Sequence, residues 1–483
     1  MRGCQLNKKW GLDGVGGALG LAIVLLGGCT VGPKYAKPTT EVPSDYKEAG
    51  VDFKQAQPSD QIAKGQWWEI YDDSQLNSLE EQINVSNQTL KAQQAQFEEA
   101  RAAIRIARSQ FFPTATANAS ATHYSQSSNR PLFSPNSNYQ DYLLPVDVAY
   151  EPDLWGRVRR TVEASRSEAQ ASAGDLANVD LSLHAELAMD YFQLRGLDAE
   201  KELLNSTVVS YQRALDLTQS RYQGGVASAV DVAQAQTQLE TTRAQSEDVE
   251  VNRAAFEHAI AVLIGKPASE FRLAAISLKT PPPPVPPGVP SELLERRPDI
   301  AAAERLVQAA NAQIGVARAA YFPNVTLSGG GGFESGAIGT LIQGPSGFWS
   351  LAGSAAELIF DGGQRRGVSE QAKAGFDMSV ANYRQTVLTA FQEVEDNLSA
   401  LRILQDEAKT EDAAVAAAEH SLDLSNNRYK GGVANYLEVT TAQSAALSDE
   451  VTALNILIRR MSASVLLVKA IGGGWNVSQI PPL

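Results

Sequence analysis

Side chains that commonly carry catalysis or bind metals are few in this chain and stand far apart. The two cysteines, Cys4 and Cys29, lie near the N-terminus, which excludes a disulfide framework or a cysteine-ligated metal site in the rest of the chain. The four histidines have no second ligand at helical or turn spacing, so we expect structural or surface roles and no metal site. The glycine-rich run 328–332 follows a predicted strand but does not open a helix, unlike a phosphate-binding loop. We therefore predict no catalytic residues and no enzymatic activity.

Cys29 is the side chain with the clearest chemistry. Basic residues at positions 2, 8 and 9 precede a small, apolar stretch from Val15 to Gly28 that is too short and glycine-rich to span a bilayer, which indicates a cleaved signal peptide. Its end, Leu26-Gly27-Gly28-Cys29, resembles a bacterial lipobox, in which Cys29 would carry a covalent lipid and become the new N-terminus. By the same resemblance, Thr30, since it is not aspartate, permits onward transport to the outer membrane. An ordinary signal peptide with an incidental cysteine is the alternative.

Composition restricts the class of protein further. The chain has 483 residues, of which 43% are hydrophobic and 20% charged, as in folded proteins, so wholesale disorder is excluded. Its formal net charge of -14 argues against nucleic acid as a partner, because binding the phosphate backbone needs a positive face. After the signal peptide, no segment is expected to be long and apolar enough to cross a membrane as a helix.

The chain contains an internal repeat with an offset of roughly 210 residues. The halves meet at the proline run Pro281–Pro287, which predicts a stiff extended connector. Three landmarks recur in the same order: Ser109–Pro113 as Ala319–Pro323, Glu151–Arg157 as Leu358–Gln364, and Arg221–Ala227 as Arg428–Ala434. We divide the chain into a signal peptide (1–28), an extended N-terminal segment (29–73), a first repeat (74–280), a proline-rich linker (281–290), a second repeat (291–471) and a C-terminal tail (472–483).

Each repeat predicts the same series of elements. A helix ends at a Phe-Pro pair, because proline forces the preceding residue into an extended conformation, and two strand-like segments follow. A very long helix then runs to a Gly-Gly pair, beyond which a shorter helix returns. The predicted ranges are 75–110, 114–125, 139–150, 157–222 and 231–264 in the first repeat, and 291–320, 324–332, 348–360, 364–429 and 438–471 in the second. Helices of this length must pack into a bundle or tube to bury their apolar stripes.

The segment Tyr142–Tyr150 predicts a membrane-facing strand. Its apolar residues alternate with others and an aromatic residue stands at each end, as in transmembrane barrels. The counterpart 348–360 is weaker, and Pro145 is expected to introduce a bulge. Four strands cannot close a barrel, and open sheet edges are not tolerated in lipid, so the chain must form at least a dimer if it spans the membrane. A small soluble sheet is the alternative.

Together these features resemble the TolC-like outer-membrane efflux factors, in the lipoprotein branch that serves tripartite (RND-type) pumps. The resemblance rests on the lipobox at Cys29, Gly32–Tyr35, Trp67-Trp68, the Phe-Pro pairs, the doubled Arg-Tyr-x-Gly-Gly-Val motif and Gly472–Trp475. It implies a mainly α fold with a membrane β-barrel part, in which long helical hairpins build a periplasmic α-barrel. Four strands from each subunit of a homotrimer would form one twelve-stranded barrel in the outer membrane. The implied partners are a periplasmic adaptor, an inner-membrane transporter and outer-membrane lipid, with no cofactor besides the lipid on Cys29.

The resemblance also assigns roles around the doubled turns Gly224-Gly225 and Gly431-Gly432, which would lie at the periplasmic end of the tunnel. In the family, side chains beside these turns latch neighbouring hairpins and line the constriction. One carboxylate per subunit at Glu438 would form a ring that attracts cations. Thr441 stands where relatives often have a second acidic residue. The matching positions are Arg221, Tyr222 and Asp231 in the first repeat and Arg428, Tyr429, Leu437 and Glu438 in the second. Ordinary hairpin turns with solvated charges are the alternative.

Three functions are compatible with the sequence. The expected one is a passive exit duct for drugs, metals or metabolites that an inner-membrane pump delivers. The exit duct of a type I protein secretion system would have the same architecture, although the lipobox favours the first. A non-conducting envelope spacer is the third, and the alternating strands argue against it. The sequence does not identify the substrate.

Overall fold

The computed structural model describes residues 30–48, 66–125, 127, 138–286, 288 and 290–483. The predicted signal peptide and Cys29 lie outside these residues, and the boundaries of the six predicted segments remain predictions. The described chain is mainly helical with one antiparallel sheet, as predicted. Its α-helices are α1 (Ser74–Ser86), α2 (Gln88–Ser109), α3 (Arg157–Gln223), α4 (Ala229–Leu263), α5 (Leu293–Arg296), α6 (Pro298–Ala319), α7 (Gln364–Lys430) and α8 (Tyr436–Ala470).

The two long helices match their predicted ranges closely. Helices α3 and α7 each contain 67 residues, which corresponds to about 100 Å at 1.5 Å per residue. Both start after a glycine with positive φ, Gly156 (φ 82°) and Gly363 (φ 93°). The carboxylates of Asp153 and Asp361 accept hydrogen bonds from backbone N–H groups at these two starts, which satisfies donors that have no partner within the helix.

The first helix of each repeat is interrupted, so the prediction of one continuous helix at 75–110 and at 291–320 was wrong. Asn87 is extended, and its side chain caps α2 through the N–H of Leu90 while donating to the carbonyl of Leu263. Arg297 is extended because Pro298 follows it. Its buried guanidinium is held by Asp299 and Glu393. The residue at each break therefore also bonds to a distant helix, Asn87 to the end of α4 and Arg297 to α7.

The sheet has four strand positions. Strands β1 (Thr114–Ala117) and β2 (Ser120–Ser125) both pair with β3 (Asn138–Tyr150), followed by β4 (Asn324–Ser335) and β5 (Gly347–Ala356), all antiparallel. β1/β2 and β5 are the two edges of this sheet. The predicted strand 348–360 was too long, because the chain leaves the ladder after Ala356 and turns at Asp361.

Pro145 does not introduce the predicted bulge. The register between β1, β2 and β3 is unchanged on both sides of it, and β4 pairs with β3 without a shift. The β1/β2 strand is only interrupted at 118–119, where the N–H of Asn118 still donates to the Pro145 carbonyl over 3.1 Å. Gly332 lies opposite, and a side chain there would collide with the Leu144 carbonyl. A glycine thus accommodates the proline without a bulge.

One face of the sheet is apolar and exposed. Val146, Gly331 and Trp349 are register partners across β3, β4 and β5, so they share a face. Val146 is 50% exposed and Trp349 is 78% exposed. The second repeat therefore contributes large apolar side chains to this face, although its sequence pattern is the weaker one.

By length and composition, helix α8 could cross a membrane, which the sequence analysis did not anticipate. Its buried residues Met461, Val465 and Val468 belong to the main hydrophobic core, together with Leu187 and Leu194 of α3. Packing against other helices of the chain accounts for its apolar composition.

The Trp67-Trp68 pair covers a buried ion pair in this core. The ring of Trp68 stacks on His184 at 4.3 Å, and His184 Nδ1 lies 2.7 Å from the carboxylate of Glu80. Burial raises the pKa of Glu80 to about 7. Burial lowers the pKa of His184, but hydrogen bonds to Asp180 and Glu80 outweigh it and raise the pKa to about 9. The buried imidazole is therefore protonated at neutral pH.

We expect this pair to make thermal stability depend on pH. A histidine pKa raised above 6.5 contributes stability that is fully present below pH 6.5 and is lost as the pH rises through about 9. The melting temperature of the wild type should therefore fall over this range. In the double variant Glu80→Gln with His184→Gln, which lacks both titrating groups, it should fall less. Parallel melting curves for the two proteins across the range would contradict the assignment.

Candidate functional site at the hairpin turns

Both Gly-Gly pairs form the same helix-ending turn. The N–H of Val226 donates to the Arg221 carbonyl, and the N–H of Gly225 donates to the Tyr222 carbonyl. Val433 and Gly432 repeat the pattern. Gly225 (φ 76°) and Gly432 (φ 77°) adopt the left-handed conformation that favours glycine, whereas Gly224 and Gly431 do not. The second glycine of each pair therefore sets the turn.

The helices that return from the turns begin with different caps. Ser228 and Asp231 form a capping box, in which each side chain accepts a hydrogen bond from the other residue's backbone N–H. In the second hairpin, Asn435 accepts from the N–H of Glu438, whose carboxylate does not take part in this cap. The Asp231 carboxylate is thus part of a local cap, whereas the Glu438 carboxylate lies near Arg428.

Arg221 joins the two hairpins of one subunit. Its Nη1 donates to the carbonyl of Lys430 over 3.0 Å, and its guanidinium lies 4.7 Å from the centre of the Tyr429 ring. A hydrogen bond from a charged donor contributes about 1.5–3 kcal/mol, and a cation over an aromatic ring adds to it. The structure thus brings together Arg221 and Tyr429, two of the predicted site residues, from different repeats.

Tyr429 also belongs to a small buried cluster that the sequence analysis missed. Its hydroxyl donates to Thr218 over 3.3 Å, and its ring meets that of Tyr436 edge to face at 5.3 Å. The hydroxyl of Tyr211 donates to the Gln443 carbonyl across the same interface. Burial raises the pKa of Tyr436 to about 12, so it is neutral here. The spacing of Tyr211, Leu215 and Thr218 by three and four residues places them on one helix face, and this was the sequence signal that could have predicted the cluster.

Of the remaining predicted site residues, two lie close to each other with opposite charges and two are exposed apolar or aromatic side chains. Arg428 Nη2 lies 3.7 Å from a carboxylate oxygen of Glu438, and both side chains are about half exposed. Tyr222 (49% exposed) and Leu437 (54% exposed) point away from the packed cluster. Tyr222 and Tyr429 therefore occupy equivalent positions in the repeats but have opposite environments.

The first described residues after Cys29 lie where the sheet meets the long helices. Thr30 lies against Gly156, and the N–H of Val31 donates to the Trp155 carbonyl over 3.1 Å. The indole of Trp155 donates to the carbonyl of Pro323, one residue before β4. From here the extended segment runs along the helices, where Tyr35 donates to Glu304 and Glu48 pairs with Arg402.

Comparisons with known proteins agree with this architecture. The family model described as "Outer membrane efflux protein" matches residues 79–266 and 289–473, one segment in each repeat. The antibiotic efflux pump outer membrane protein ArpC of Pseudomonas putida is 31% identical over 465 residues, which cover 95% of each chain. Outer membrane protein OprJ of Pseudomonas aeruginosa is 33% identical and covers 94% of this chain and 95% of its own. The solved outer membrane channel CmeC of Campylobacter jejuni has a TM-score of 0.86 at 26% identity, covering 93% of this chain and 96% of its own.

Proposed function

The chain belongs to the outer membrane efflux protein family, and we propose from this premise that it forms the exit duct of a tripartite pump. It is an outer-membrane efflux channel that reaches into the periplasm, with the helical tunnel and β-barrel fold of the TolC-like channels. The resemblance to the TolC-like outer-membrane efflux factors is thereby confirmed. The observation that carries the function is the match of both repeats to the family model. We propose no enzymatic step for the chain.

We propose that the channel is a homotrimer. The sheet of one chain has two open edges, β1/β2 and β5, and lipid does not tolerate unpaired backbone groups. Three copies with four strand positions each would close a twelve-stranded barrel whose apolar face carries Val146, Trp349 and Leu351. Stacked helices of about 100 Å would extend this barrel into a tunnel.

We propose further that Cys29 carries a covalent lipid and that the protein needs no other cofactor. Thr30 lies where the strands give way to the long helices, so a lipid on the preceding residue would reach the membrane beside the barrel. The extended segment that follows is fixed to the helices by Arg160, Glu304 and Glu395. A mature chain whose mass includes no acyl groups would contradict this proposal.

The hairpin turns would form the periplasmic gate, opened when an adaptor and an inner-membrane transporter dock. The contacts of Arg221 and Tyr429 support a closed position of the two hairpins. Glu438 would provide an acidic ring near the axis, moderated by Arg428. Tyr222 and Leu437 are exposed and available to a neighbouring subunit or to the adaptor.

The substrate class we propose is antibiotics and other small organic compounds. One relative is named as the outer membrane protein of an antibiotic efflux pump. The test is deletion of the chain in its native bacterium, followed by growth on a panel of antibiotics, detergents and metals. We expect increased sensitivity to several antibiotics, restored by the wild-type chain. Unchanged sensitivity, with loss of a secreted protein, would instead indicate a type I secretion duct.

A further inference from the structure

We propose that a basic groove on the outer surface of α2 and α3 binds the headgroup of an anionic phospholipid at the periplasmic surface of the outer membrane. The proposal rests on the outer-membrane channel proposed above and adds a lipid-binding site to it. It starts from three arginines, Arg108, Arg159 and Arg166, that line one groove in a chain with a net charge of -14. Pockets of basic side chains at a membrane surface bind the headgroups of anionic lipids.

The groove combines positive charge with aromatic surface, and its volume is about 800 Å³. Arg108 belongs to the last turn of α2, whereas Arg159 and Arg166 belong to the first three turns of α3. Phe111 and Phe112 line the same groove, and Phe112 is 69% exposed. The groove therefore offers charged donors for phosphate oxygens beside an apolar surface for the start of an acyl chain.

Two of the three arginines have no carboxylate partner. Arg159 pairs with Asp153 over 3.1 Å, and Glu163, which also lines the groove, accepts from another arginine of α3 over 2.8 Å. Arg108 and Arg166 are exposed and form no ion pair within the part of the chain that the structure describes. Their positive charges are therefore available to a phosphodiester, which carries a negative charge and accepts hydrogen bonds from arginine.

The groove lies at the level of the membrane surface. Arg108 stands six residues before the first residue of β1, and Arg159 stands nine residues after Tyr150, the last residue of β3. In transmembrane barrels, aromatic residues at the strand ends mark the boundary of the hydrocarbon region. The arginines thus lie just beyond this boundary, at the level of the phospholipid headgroups.

The groove opens on the outside of the helices. Glu163 at its edge pairs with Arg160, whose guanidinium also donates to the carbonyls of Val31 and Pro33. The N-terminal segment therefore runs beside the groove. A segment that begins at a lipid-anchored residue lies outside the tunnel, because its acyl chains are inserted in the membrane around the barrel. The groove thus faces the surrounding phospholipids.

The second repeat has the same basic residues at equivalent positions. Alignment of the long-helix starts and of the Phe-Pro pairs gives the counterparts of Arg108, Arg159 and Arg166 as Arg318, Arg366 and Lys373, all exposed. Neighbouring positions between packed helices differ, since Gly367 replaces Arg160. Arg318 and Lys373 also form no ion pair with any described residue. Positive charge is therefore present in both repeats at this level of the surface, where contacts within the chain do not require it.

Native mass spectrometry of the purified full-length oligomer tests the site. Delipidated protein in detergent is titrated with phosphatidylglycerol or with phosphatidylcholine that has the same acyl chains. We expect the wild type to prefer phosphatidylglycerol, and the double variant Arg108→Gln with Arg166→Gln to lose this preference. Its affinity for phosphatidylglycerol should fall about tenfold or more, because each arginine near an anionic lipid surface contributes a factor of about five.

The control variant is Lys91→Gln with Arg213→Gln. It removes the same charge from exposed positions of the same two helices, and Arg213 lies about 70 Å from Arg166 at 1.5 Å per residue. Its affinity for phosphatidylglycerol should equal that of the wild type. Both variants change exposed side chains, so their melting temperatures should also match the wild type.

Three results would overturn the site. They are equal binding of the two lipids by the wild type, unchanged binding of phosphatidylglycerol by the folded Arg108→Gln and Arg166→Gln variant, and an equal loss in the control variant. Displacement of the lipid by inorganic phosphate at the same concentration would identify an ion site and also exclude the lipid. Lipid binding is measured without efflux. If the wild-type chain confers no drug resistance, the proposed function therefore fails separately.

Discussion

Replacement of Arg221 by alanine is expected to open the periplasmic end and make the bacterium sensitive to antibiotics too large for the closed channel. The variant loses the hydrogen bond to the Lys430 carbonyl and the contact with the Tyr429 ring. The loss of about 1.5–3 kcal/mol per subunit corresponds to at least a tenfold larger open population, because about 1.4 kcal/mol is a factor of ten. The minimal inhibitory concentration of a large glycopeptide antibiotic measures the effect. Tyr429→Ala should act in the same direction.

Lys430→Ala is the matched control for this experiment. It removes an exposed positive charge from the same turn but keeps the backbone carbonyl that accepts from Arg221. Its sensitivity should remain that of the wild type. If Lys430→Ala raises the sensitivity to the large antibiotic as much as Arg221→Ala does, then the positive charge at the turn, and not the contact between the hairpins, controls entry.

Glu438 and Arg428 are expected to change ion selectivity in opposite directions. Glu438→Gln removes one carboxylate per subunit and should reduce the preference for cations, whereas Arg428→Ala removes the neighbouring positive charge and should increase it. The reversal potential under a salt gradient, measured in the Arg221→Ala background, reports both changes. Because both side chains are about half exposed, the ion pair itself stabilises the protein little.

Asp231→Asn is the control for selectivity. The Asp231 carboxylate accepts from the N–H of Ser228 in the capping box, and an asparagine oxygen can replace it in that bond. The reversal potential should therefore remain unchanged. A shift as large as that of Glu438→Gln would mean that the first hairpin also lines the constriction. An unchanged potential in Glu438→Gln would remove Glu438 from the gate.

The sequence predicted the long helices and the strand positions because strong local signals mark their ends. Phe-Pro pairs end α2 and α6, and Gly225 and Gly432 end α3 and α7. The breaks at Asn87 and Arg297 were missed, although Pro298 was a visible signal for the second. Asn87 is extended as the N-cap of α2, and its further hydrogen bond to Leu263 is a long-range contact that no local pattern reveals.

At the candidate site, residue types could be predicted but their partners could not. The motif placed Arg221 and Tyr429 at the turns, whereas their contact joins residues 208 positions apart along the chain, at the interface of two hairpins. The role of Asp231 was readable from Ser228 three residues before it, which is the spacing of a capping box. The repeated motif also predicts the same environment for Tyr222 and Tyr429, whereas in the structure Tyr429 is buried and Tyr222 is exposed.

The conductance of the purified protein in planar lipid bilayers shows whether the chain forms a gated channel. We expect the wild type to insert as an oligomer with low conductance, because Arg221 and Tyr429 hold the hairpins together. The double variant Arg221→Ala with Tyr429→Ala should open and conduct at least tenfold more in the time average. If inserted oligomers of both proteins carry no current, the chain is an envelope spacer and not an efflux channel.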